Sequence, residues 1–409
     1  MQNKIKKPTV IKVGKGNGCP HYKRCGGCHL QNMTYAEQLK YKQIKCIKLL
    51  GKFCRVKEII GMVDPTHYRC KVQAAFGRDK SGVISGVYQS STHKIVPIDE
   101  CMIEDSEADE IIVTIRKLLK SFKLKPFDEN NMTGFLRHVL IRKGYYTGQI
   151  MVVLVTGTSV FPSSRSFINT LLQRHPEIST IVQNVNNKFT SLVLGEKNIT
   201  LYGDGYIEDS IFDCVFRISP KSFYQVNPVM TTKLYGKALE YMELTGKETV
   251  IDAYCGTGTI GILASKNAGK VIGVELNADA VKDAKFNAKR NDIKNIEFYT
   301  ADASDFMVEM ASAGERADVV IMDPPRAGSD ERFMKSVITL SPERVVYVSC
   351  NPETLARDLK YFTRNGYGVR KIQPVDMFPH TDHVESVVLL SRKKVNDHKT
   401  QFLGKKNEC

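Results

Sequence analysis

Short runs of apolar and β-branched residues, separated by Gly, Ser and Asp, predict strands in the first half of the chain. We predict strands over residues 69–77, 82–89, 93–98, 135–144, 148–157 and 179–186. Apolar residues recur at helical spacing in residues 109–122, which predicts a helix between the third and fourth of these strands. This mixture of elements predicts a central α+β domain over residues 51–215.

The pattern changes near residue 226, where a helix is predicted over residues 226–244. Strands and helices then alternate, and the strands are near-continuous apolar runs, as in a parallel sheet that is covered on both faces. These runs are residues 249–255, 270–276, 317–323 and 344–350, with a helix over 277–291 and a last strand over 385–393. The alternation predicts a doubly wound α/β domain over residues 216–394.

The composition indicates that this two-domain protein is strongly basic. The 409 residues carry a formal net charge of +15, so we expect a polyanionic partner, with nucleic acid ahead of membrane. No apolar run approaches the ~18 residues of a membrane helix, and the basic N-terminus lacks the apolar stretch of a secretory signal. We therefore expect a monomeric cytoplasmic protein that binds no membrane.

Several lysine-rich and arginine-rich runs are candidates to hold phosphate groups, because counterion release drives such contacts. They are residues 4–7, 12–15 and 137–142. An ordinary solvated surface is the alternative for each run. Residues 395–409 are polar and basic, and we expect them to form a disordered tail.

A glycine turn follows the first strand of the α/β domain, in DAYCGTGT at residues 252–259. Gly256 and Gly258 lie between a strand and a helix, where glycine lets the backbone approach a ligand closely. Glu275 ends the next strand, 19 residues after Gly256, which suits an acid that binds ribose hydroxyls. The turn fits a dinucleotide site or an adenosyl site, and a purely structural turn is the alternative.

Two further strands end in residues with acid or nucleophile chemistry. Asp323 precedes two prolines, and Cys350 ends the next strand just before a predicted helix, whose N-terminus should lower the thiol pKa. Glu385 begins the last strand, and it reaches the same edge if that strand is antiparallel. A buried structural cysteine and a surface carboxylate are the alternatives.

A thiolate paired with a carboxylate base suits methylation at C5 of uracil. Addition of the thiolate to C6 makes C5 nucleophilic, and after methyl transfer the base must remove the C5 proton. A base within a helix cannot reach a buried cysteine, so the target must be single-stranded or flipped out. Phe223 and Tyr224 are candidates to stack on it, with core packing as the alternative.

The C-terminal half resembles the RNA (uracil-5-)-methyltransferase family. The segments that carry the resemblance are KSFYQVNP (221–228), DAYCGTGTIG (252–261), MDPPRAG (322–328), SCNP (349–352) and HVES (383–386). It implies a class I, Rossmann-like fold that binds S-adenosylmethionine. The cofactor contacts that it implies are Gln225, Tyr254, Glu275 and Asp323, with Thr259 and Asp302 lining the same cleft.

The resemblance also implies that Cys350 is the nucleophile and Glu385 the proton acceptor. Cytosine-5 RNA methyltransferases usually carry a second cysteine just after the fourth-strand motif. That motif reads DPPRAG here, which favours uracil over cytosine.

Four cysteines near the N-terminus form a candidate metal centre, for which residues 1–50 are the predicted arm. Cys19, Cys25 and Cys28 have the spacing C-x5-C-x2-C, and Cys101 follows a predicted strand. Four thiols suit zinc or an iron–sulfur centre, and spacing does not separate the two. The iron–sulfur members of the resembled family share this pattern, which implies a [4Fe-4S] cluster held by these cysteines.

Many iron–sulfur members of that family begin with a small β-barrel that binds RNA. Only eighteen residues precede Cys19, so we expect this barrel to be missing and the target to be recognised by the central domain and the arm. The resemblance favours 23S ribosomal RNA as the substrate. A methyltransferase acting on the transfer RNA T-loop, and a non-catalytic RNA-binding or assembly factor, are the alternatives.

Overall fold

The computed structural model describes residues 18–90 and 92–393, so the basic runs at residues 4–7 and 12–15 and the tail at 395–409 lie outside the described residues. The N-terminal helices are α1 (Tyr22–Cys25) and α2 (Tyr35–Leu50). The elements that follow are β1 (Lys71–Asp79), β2 (Gly82–Tyr88), β3 (Ile95–Pro97), α3 (Ser106–Ser121), β4 (Leu136–Lys143), β5 (Ile150–Thr156), α4 (Ser164–Arg174), β6 (Ile178–Val185), β7 (Lys197–Tyr202), β8 (Ile207–Ile211) and β9 (Cys214–Ile218).

The central strands form a seven-stranded sheet in the order β3-β2-β1-β4-β5-β6-β7, and β8 pairs with β9 separately. Only the β5–β6 pair within that sheet is parallel. Helices α3 and α4 cover one face, where Ile115 and Leu171 pack against Val139 and Val152. The six strands predicted in this region and the helix at 109–122 are confirmed, whereas α4 and strands β7 to β9 were not predicted.

The C-terminal half alternates helices and strands, as predicted. Its elements are α5 (Pro228–Met242), β10 (Thr249–Ala253), α6 (Thr259–Ser265), β11 (Lys270–Glu275), α7 (Ala278–Arg290), β12 (Ile296–Thr300), α8 (Ala303–Ser312), β13 (Val319–Met322), α9 (Glu331–Leu340), β14 (Arg344–Ser349), α10 (Pro352–Arg364), β15 (Tyr367–Val375) and β16 (Glu385–Arg392).

These strands form a second seven-stranded sheet, in the order β12-β11-β10-β13-β14-β16-β15. The five strands from β12 to β14 are parallel, and β16 pairs antiparallel with both β14 and β15. The chain leaves β10 in one direction and later returns to its other side at β13. Such a reversal opens a crevice at the carboxyl ends of the strands, where ligands bind in open α/β sheets.

One apolar core joins the two sheets. Met151 and Val153 of the central sheet belong to the same buried cluster as Phe216, Leu234 and residues of β10 to β16. The opposite face of the C-terminal sheet packs against α9, α10 and the N-terminal helix α2. Among the described residues, no helix is long and apolar enough to cross a bilayer.

Candidate active site

Cys350 and Glu385 meet at the edge of the C-terminal sheet. Ser349 is the partner of Ser386 in the antiparallel β14–β16 pair, so the next residue on each strand, Cys350 and Glu385, lies at the same end. The predicted antiparallel direction of the last strand is therefore confirmed. Both side chains line one pocket of about 620 Å³.

This strand-end pocket also collects the residues predicted to contact the cofactor. Its lining includes Gln225, Tyr254, Glu275, Asp323, Cys350 and Glu385. They come from the loop before α5 and from the ends of β10, β11, β13, β14 and the start of β16. Thr259 lines the pocket as well, whereas Asp302 does not and instead caps α8 by accepting bonds from Ser304 N and Asp305 N.

The glycine turn brings backbone to the rim of this pocket. Gly256 and Gly258 have φ values of 56° and 79°, in the left-handed region that glycine adopts without strain. A Cβ on Gly258 would lie 2.8 Å from the Phe298 ring, whereas one on Gly256 would meet no atom within 4 Å. Gly256 therefore faces open space in the pocket, and Gly258 lets the turn pack against β12.

Glu275 is held in place by the same turn. Its carboxylate accepts hydrogen bonds from the backbone N–H groups of Gly256, at 3.1 Å, and Asn277, at 2.9 Å. A carboxylate fixed this way at the end of β11 is suited to binding the two hydroxyls of a ribose. The structure thus brings together the glycines and the acid that the sequence places 19 residues apart.

The carboxylates of this pocket hold protons more tightly than usual. Burial raises the pKa of Asp323 to about 7, and burial together with the nearby Asp323 raises the pKa of Glu385 to about 8. Glu385 and Asp323 therefore oppose each other's ionisation. A positive charge in the pocket would favour both charged forms.

The thiol of Cys350 has a pKa raised to about 11, through burial first and then through the charges of Glu385 and Asp323. The expected lowering by the following helix is wrong for the free pocket. Asn351 caps α10 with its side chain on Glu353 N, and burial of the thiol, followed by the adjacent carboxylates, raises its pKa even so close to the helix start. Cys350 is poised for use as a thiolate only after these charges are offset.

Several lining residues carried no signal in the sequence. Arg69 precedes β1, Phe378 lies between β15 and β16, and Tyr235 belongs to the buried face of α5. Arg326 follows the Asp-Pro-Pro turn and donates from Nη2 to His383 Nδ1 at 3.0 Å. Arg326 and His383 lie within quoted motifs, but Arg69 and Phe378 are far from any of them.

The two aromatic candidates for base stacking lie in different surroundings. Phe223 is 67% exposed and lines the pocket, which keeps it available for a base. Tyr224 is 8% exposed, belongs to the apolar core, and donates from its hydroxyl to Asp209 at 3.4 Å. For Tyr224 the core-packing alternative is therefore correct.

The basic run at residues 137–142 does not offer a surface for phosphates. Arg137 is 4% exposed and donates to the carbonyl groups of Asn186 and Lys188, each at 2.9 Å. Arg142 is 3% exposed and donates to the carbonyl oxygens of Ser219 and Ser222. The prediction is wrong, because both guanidinium groups satisfy buried loop carbonyls.

The four predicted metal ligands line a second cavity, also of about 620 Å³. Cys19, Cys25 and Cys28 flank α1, and Cys101 follows β3. Arg69 and Val226 line this cysteine cavity as well as the strand-end pocket. Over residues 18–90 and 92–393, no three Cys, His, Asp or Glu side chains are arranged to hold a single metal ion, so the predicted iron–sulfur centre is not supported by that criterion.

Comparisons with known proteins agree with this fold. The family model described as tRNA (Uracil-5-)-methyltransferase matches residues 34–393. The chain is 46% identical over 381 residues to an uncharacterized RNA methyltransferase of Clostridium acetobutylicum, covering 91% of this chain and 83% of the relative. It is 44% identical over 410 residues to one of Halalkalibacterium halodurans, covering 95% and 90%.

A solved structure is similar over most of the chain. It is the tRNA (uracil-54, C5)-methyltransferase of Pyrococcus abyssi in complex with S-adenosyl-L-homocysteine, which superposes with a TM-score of 0.75 at 31% identity. The match covers 89% of this chain and 85% of that chain. The predicted class I, S-adenosylmethionine-dependent α/β fold is thereby confirmed.

Proposed function

The chain belongs to the tRNA (uracil-5-)-methyltransferase family of S-adenosylmethionine-dependent RNA methyltransferases, and we propose that it methylates C5 of a uridine through Cys350 and Glu385. The observation that carries this proposal is the position of these two side chains on adjacent antiparallel strands, lining one pocket with Asp323 and Glu275. A nucleophile and a base at opposite ends of the strands could not act on neighbouring atoms of one substrate.

The pocket residues divide into those that bind the cofactor and those that act on uracil. Glu275 binds the ribose of the cofactor at the end of β11, with Gly256 beside it. Gln225, Tyr254 and Asp323 complete the cofactor contacts. The cofactor supplies a methyl group carried on a positively charged sulfonium. Asp323 and Glu385 make the pocket favourable for that charge, and a positive charge beside Cys350 would favour its thiolate.

Cys350 begins the reaction as a thiolate, and its Sγ forms a bond to C6 of uracil. The electron pair of the C5–C6 double bond then makes C5 the nucleophile that accepts the methyl group, whose bond to the sulfonium breaks with the electron pair left on sulfur as a neutral thioether. Glu385 removes the C5 proton, the C5–C6 double bond forms again, and Sγ leaves C6 as the thiolate. The proton on Glu385 finally passes to water, which restores both side chains.

A methylation assay tests this assignment directly. Purified full-length protein is incubated with labelled methyl donor and RNA from cells that lack the enzyme, and 5-methyluridine is mapped. We expect Cys350→Ala to abolish methylation and to abolish the denaturation-resistant adduct with 5-fluorouracil-containing RNA. Cys54→Ala, which removes a thiol outside both cavities, is the matched control. Full methylation by Cys350→Ala would refute the mechanism.

The RNA substrate is proposed as 23S ribosomal RNA, on the sequence resemblance to the iron–sulfur branch of the family. Transfer RNA is a second candidate, because the superposed relative from Pyrococcus abyssi acts on uracil 54 of transfer RNA. The two are separated by presenting both unmodified RNAs in one reaction and locating the labelled nucleotide. Label in 23S RNA alone supports the first proposal, and label in transfer RNA alone supports the second.

We also propose that Cys19, Cys25, Cys28 and Cys101 hold a [4Fe-4S] cluster. Four thiols are the usual donor set for such a cluster, and these four line one cavity. A cubane cluster fills more space than a single ion, which suits thiols spread around a cavity of about 620 Å³ rather than converging on one point. Burial, and then the neighbouring Cys19 thiol, raises the pKa of Cys25, so a bound positive centre would be needed to keep these groups ionised.

The cluster proposal is tested by metal content. Protein purified without oxygen should be brown and contain iron and acid-labile sulfide, and Cys101→Ser should lose both. Cys54→Ser is the control. Stoichiometric zinc without sulfide would overturn the proposal in favour of a zinc site.

A further inference from the structure

We propose that helix α2 is a positioning device for Glu385, acting through the 376–384 loop that joins β15 to β16. This inference rests on the proposed function of Glu385 as the base. The loop leads directly into Glu385, and it also carries Phe378 and His383 of the strand-end pocket. Glu385 is the first residue of its strand, so the conformation of this loop determines the position of the Glu385 carboxylate.

The buried side of α2 is unusual because it begins with polar residues. Its buried positions are Gln38, Lys42, Cys46 and Leu50, which lie four residues apart on one face of the helix. Cys46 and Leu50 pack in the apolar core below the sheet. Gln38 and Lys42 are fully buried and face the loop instead. Buried polar groups on a helix need specific partners. The loop supplies them for both residues, and Gln38 donates in addition to the carbonyls of Leu30 and Met33, at 3.2 and 3.1 Å.

Lys42 and Tyr35 hold the first part of the loop. The Lys42 ammonium donates to Asp376 Oδ1 at 2.5 Å and to the carbonyl of Phe378 at 3.0 Å. The Tyr35 hydroxyl donates to Asp376 Oδ2 at 2.9 Å and accepts from Met62 N at 2.7 Å. One carboxylate thus ties the loop to two turns of α2.

Gln38 holds the middle of the loop, at a strained residue. His380 has a φ of 68°, which a residue with a Cβ rarely adopts. Its backbone N–H donates to Gln38 Oε1 at 2.8 Å, and its carbonyl accepts from His29 N and Leu30 N, each at 3.0 Å. Such strain persists only where surrounding contacts impose it.

The rest of the loop is fixed from other directions. Asn227 donates to the carbonyl of Met377 at 3.0 Å, and the Tyr68 hydroxyl donates to the carbonyl of Pro379 at 3.0 Å. At the far end, the Cys46 thiol lies beside Ser386, the residue after Glu385. Helix α2 therefore contacts the segment both before and after the proposed base.

The consequence for the reaction is specific to one step. Cys350 directly follows β14, outside the loop. The Glu385 charge raises the pKa of the Cys350 thiol, so displacing that carboxylate does not hinder the thiolate, and formation of the bond to C6 does not require the native position of Glu385. Removal of the C5 proton does depend on it, and displacement of a general base by a fraction of an ångström slows that step strongly. Loosening the loop should therefore leave adduct formation intact and slow its breakdown.

Gln38→Met tests this, with Gln43→Met as the matched control on the same helix. Gln43 also bonds to backbone, accepting from Ile59 N at 2.7 Å and donating to the carbonyl of Lys57 at 3.2 Å, but it does not touch the 376–384 loop. Full-length proteins purified without oxygen are compared in three measurements. These are the rate of adduct formation with 5-fluorouracil RNA, kcat and KM on ordinary RNA, and the adduct that accumulates on ordinary RNA.

For Gln38→Met we expect a rate of trapping no lower than that of the wild type, an unchanged KM, a kcat reduced about tenfold, and accumulation of the adduct on ordinary RNA. Gln43→Met should match the wild type. Tyr35→Phe removes a single hydroxyl and should give the same signature more weakly, which keeps the test open if Gln38→Met fails to fold.

Two outcomes would overturn the inference while leaving the proposed function standing. One is that Gln38→Met and Tyr35→Phe both behave as Gln43→Met does. The other is that trapping and turnover fall by the same factor, as a general loss of folded protein would produce. A wild-type protein that forms no Cys350 adduct would instead refute the proposed function.

Discussion

The Lys42 ammonium lies 2.5 Å from the Asp376 carboxylate, and both side chains are fully buried although the two residues are 334 positions apart. Removing the ammonium alone would leave a buried carboxylate without its charge partner. We predict that Lys42→Met lowers the free energy of unfolding by about 3–5 kcal/mol, measured by urea denaturation. Lys42→Met combined with Asp376→Leu should recover most of this loss, because an apolar pair can replace a buried ion pair.

The exposed pair of Lys282 and Asp279 provides the control for that measurement. Lys282→Met should leave stability unchanged, because exposed ion pairs contribute little. An equal loss from both single variants would show that the burial of Lys42 and Asp376 has no special role.

Glu385→Gln separates the two halves of the proposed reaction. The amide keeps the size of the side chain and cannot accept the C5 proton, so turnover should fall by about 10²–10⁴ while the Cys350 adduct accumulates on ordinary RNA. Gel electrophoresis under denaturing conditions with labelled methyl donor detects this adduct. Loss of turnover without any adduct would mean that Glu385 acts before or during methyl transfer.

The same variant should change the acidity of Cys350. The Glu385 carboxylate contributes to the raised pKa of the thiol, about 11, so neutralising it should stabilise the thiolate and lower that pKa. Alkylation of the Cys350 peptide by iodoacetamide, followed across pH by mass spectrometry, should show its midpoint at lower pH in Glu385→Gln. Glu240→Gln, which alters a carboxylate outside the pocket lining, should leave the curve unchanged. No shift in Glu385→Gln would assign the raised pKa to burial and Asp323.

The pH profile of the free enzyme follows from the same groups. Glu385 must be ionised to act as a base, and its pKa is raised to about 8, so the active form is lost as pH falls through that value. Cys350 must also lose its proton, and its pKa lies higher still. We therefore predict that kcat/KM for the methyl donor, measured with the methyl donor subsaturating, rises from pH 6 to about pH 9. A profile that falls with rising pH would contradict both roles.

Gly256→Ala and Gly258→Ala should fail in different ways. Both place a Cβ in the left-handed region, at roughly 1–2 kcal/mol each. Only the new Cβ at Gly258 meets the Phe298 ring, so Gly258→Ala should lower the melting temperature further. Gly256 lines the pocket, so Gly256→Ala should weaken binding of S-adenosylhomocysteine in calorimetry more than it lowers the melting temperature. The opposite result, with the larger loss of ligand affinity in Gly258→Ala, would mean that the turn contacts the ligand differently.

Much of the C-terminal half could be predicted because its signals are local. An apolar run marks each buried parallel strand, and the chain direction then places Glu275, Asp323 and Cys350 at one edge. The direction of the last strand was the single added assumption, and the β14–β16 register confirms it.

What the sequence did not predict depends on contacts between distant segments. Arg137 and Arg142 belong to a run that reads as a basic surface in the sequence. Their guanidinium groups instead donate hydrogen bonds to carbonyls of other loops. Arg69 and Phe378 reach the pocket from segments with no motif of their own. The pKa of Cys350 was misjudged because a helix end was visible in the sequence, whereas the depth of burial of the thiol, the largest cause of its raised pKa, was not.

The contacts of helix α2 also depend on the order in which the chain is synthesised. The partners of its buried polar side chains are synthesised 334 residues later. At ordinary rates of translation this interval is roughly 20–70 s. Until then Lys42 lacks its carboxylate partner, Gln38 can bond only to the nearby carbonyls of Leu30 and Met33, and the last strand has no fixed starting point. A ribosome that stalls late in the message thus carries a chain whose glycine turn is already synthesised but whose Glu385 segment has not yet made its contacts with α2.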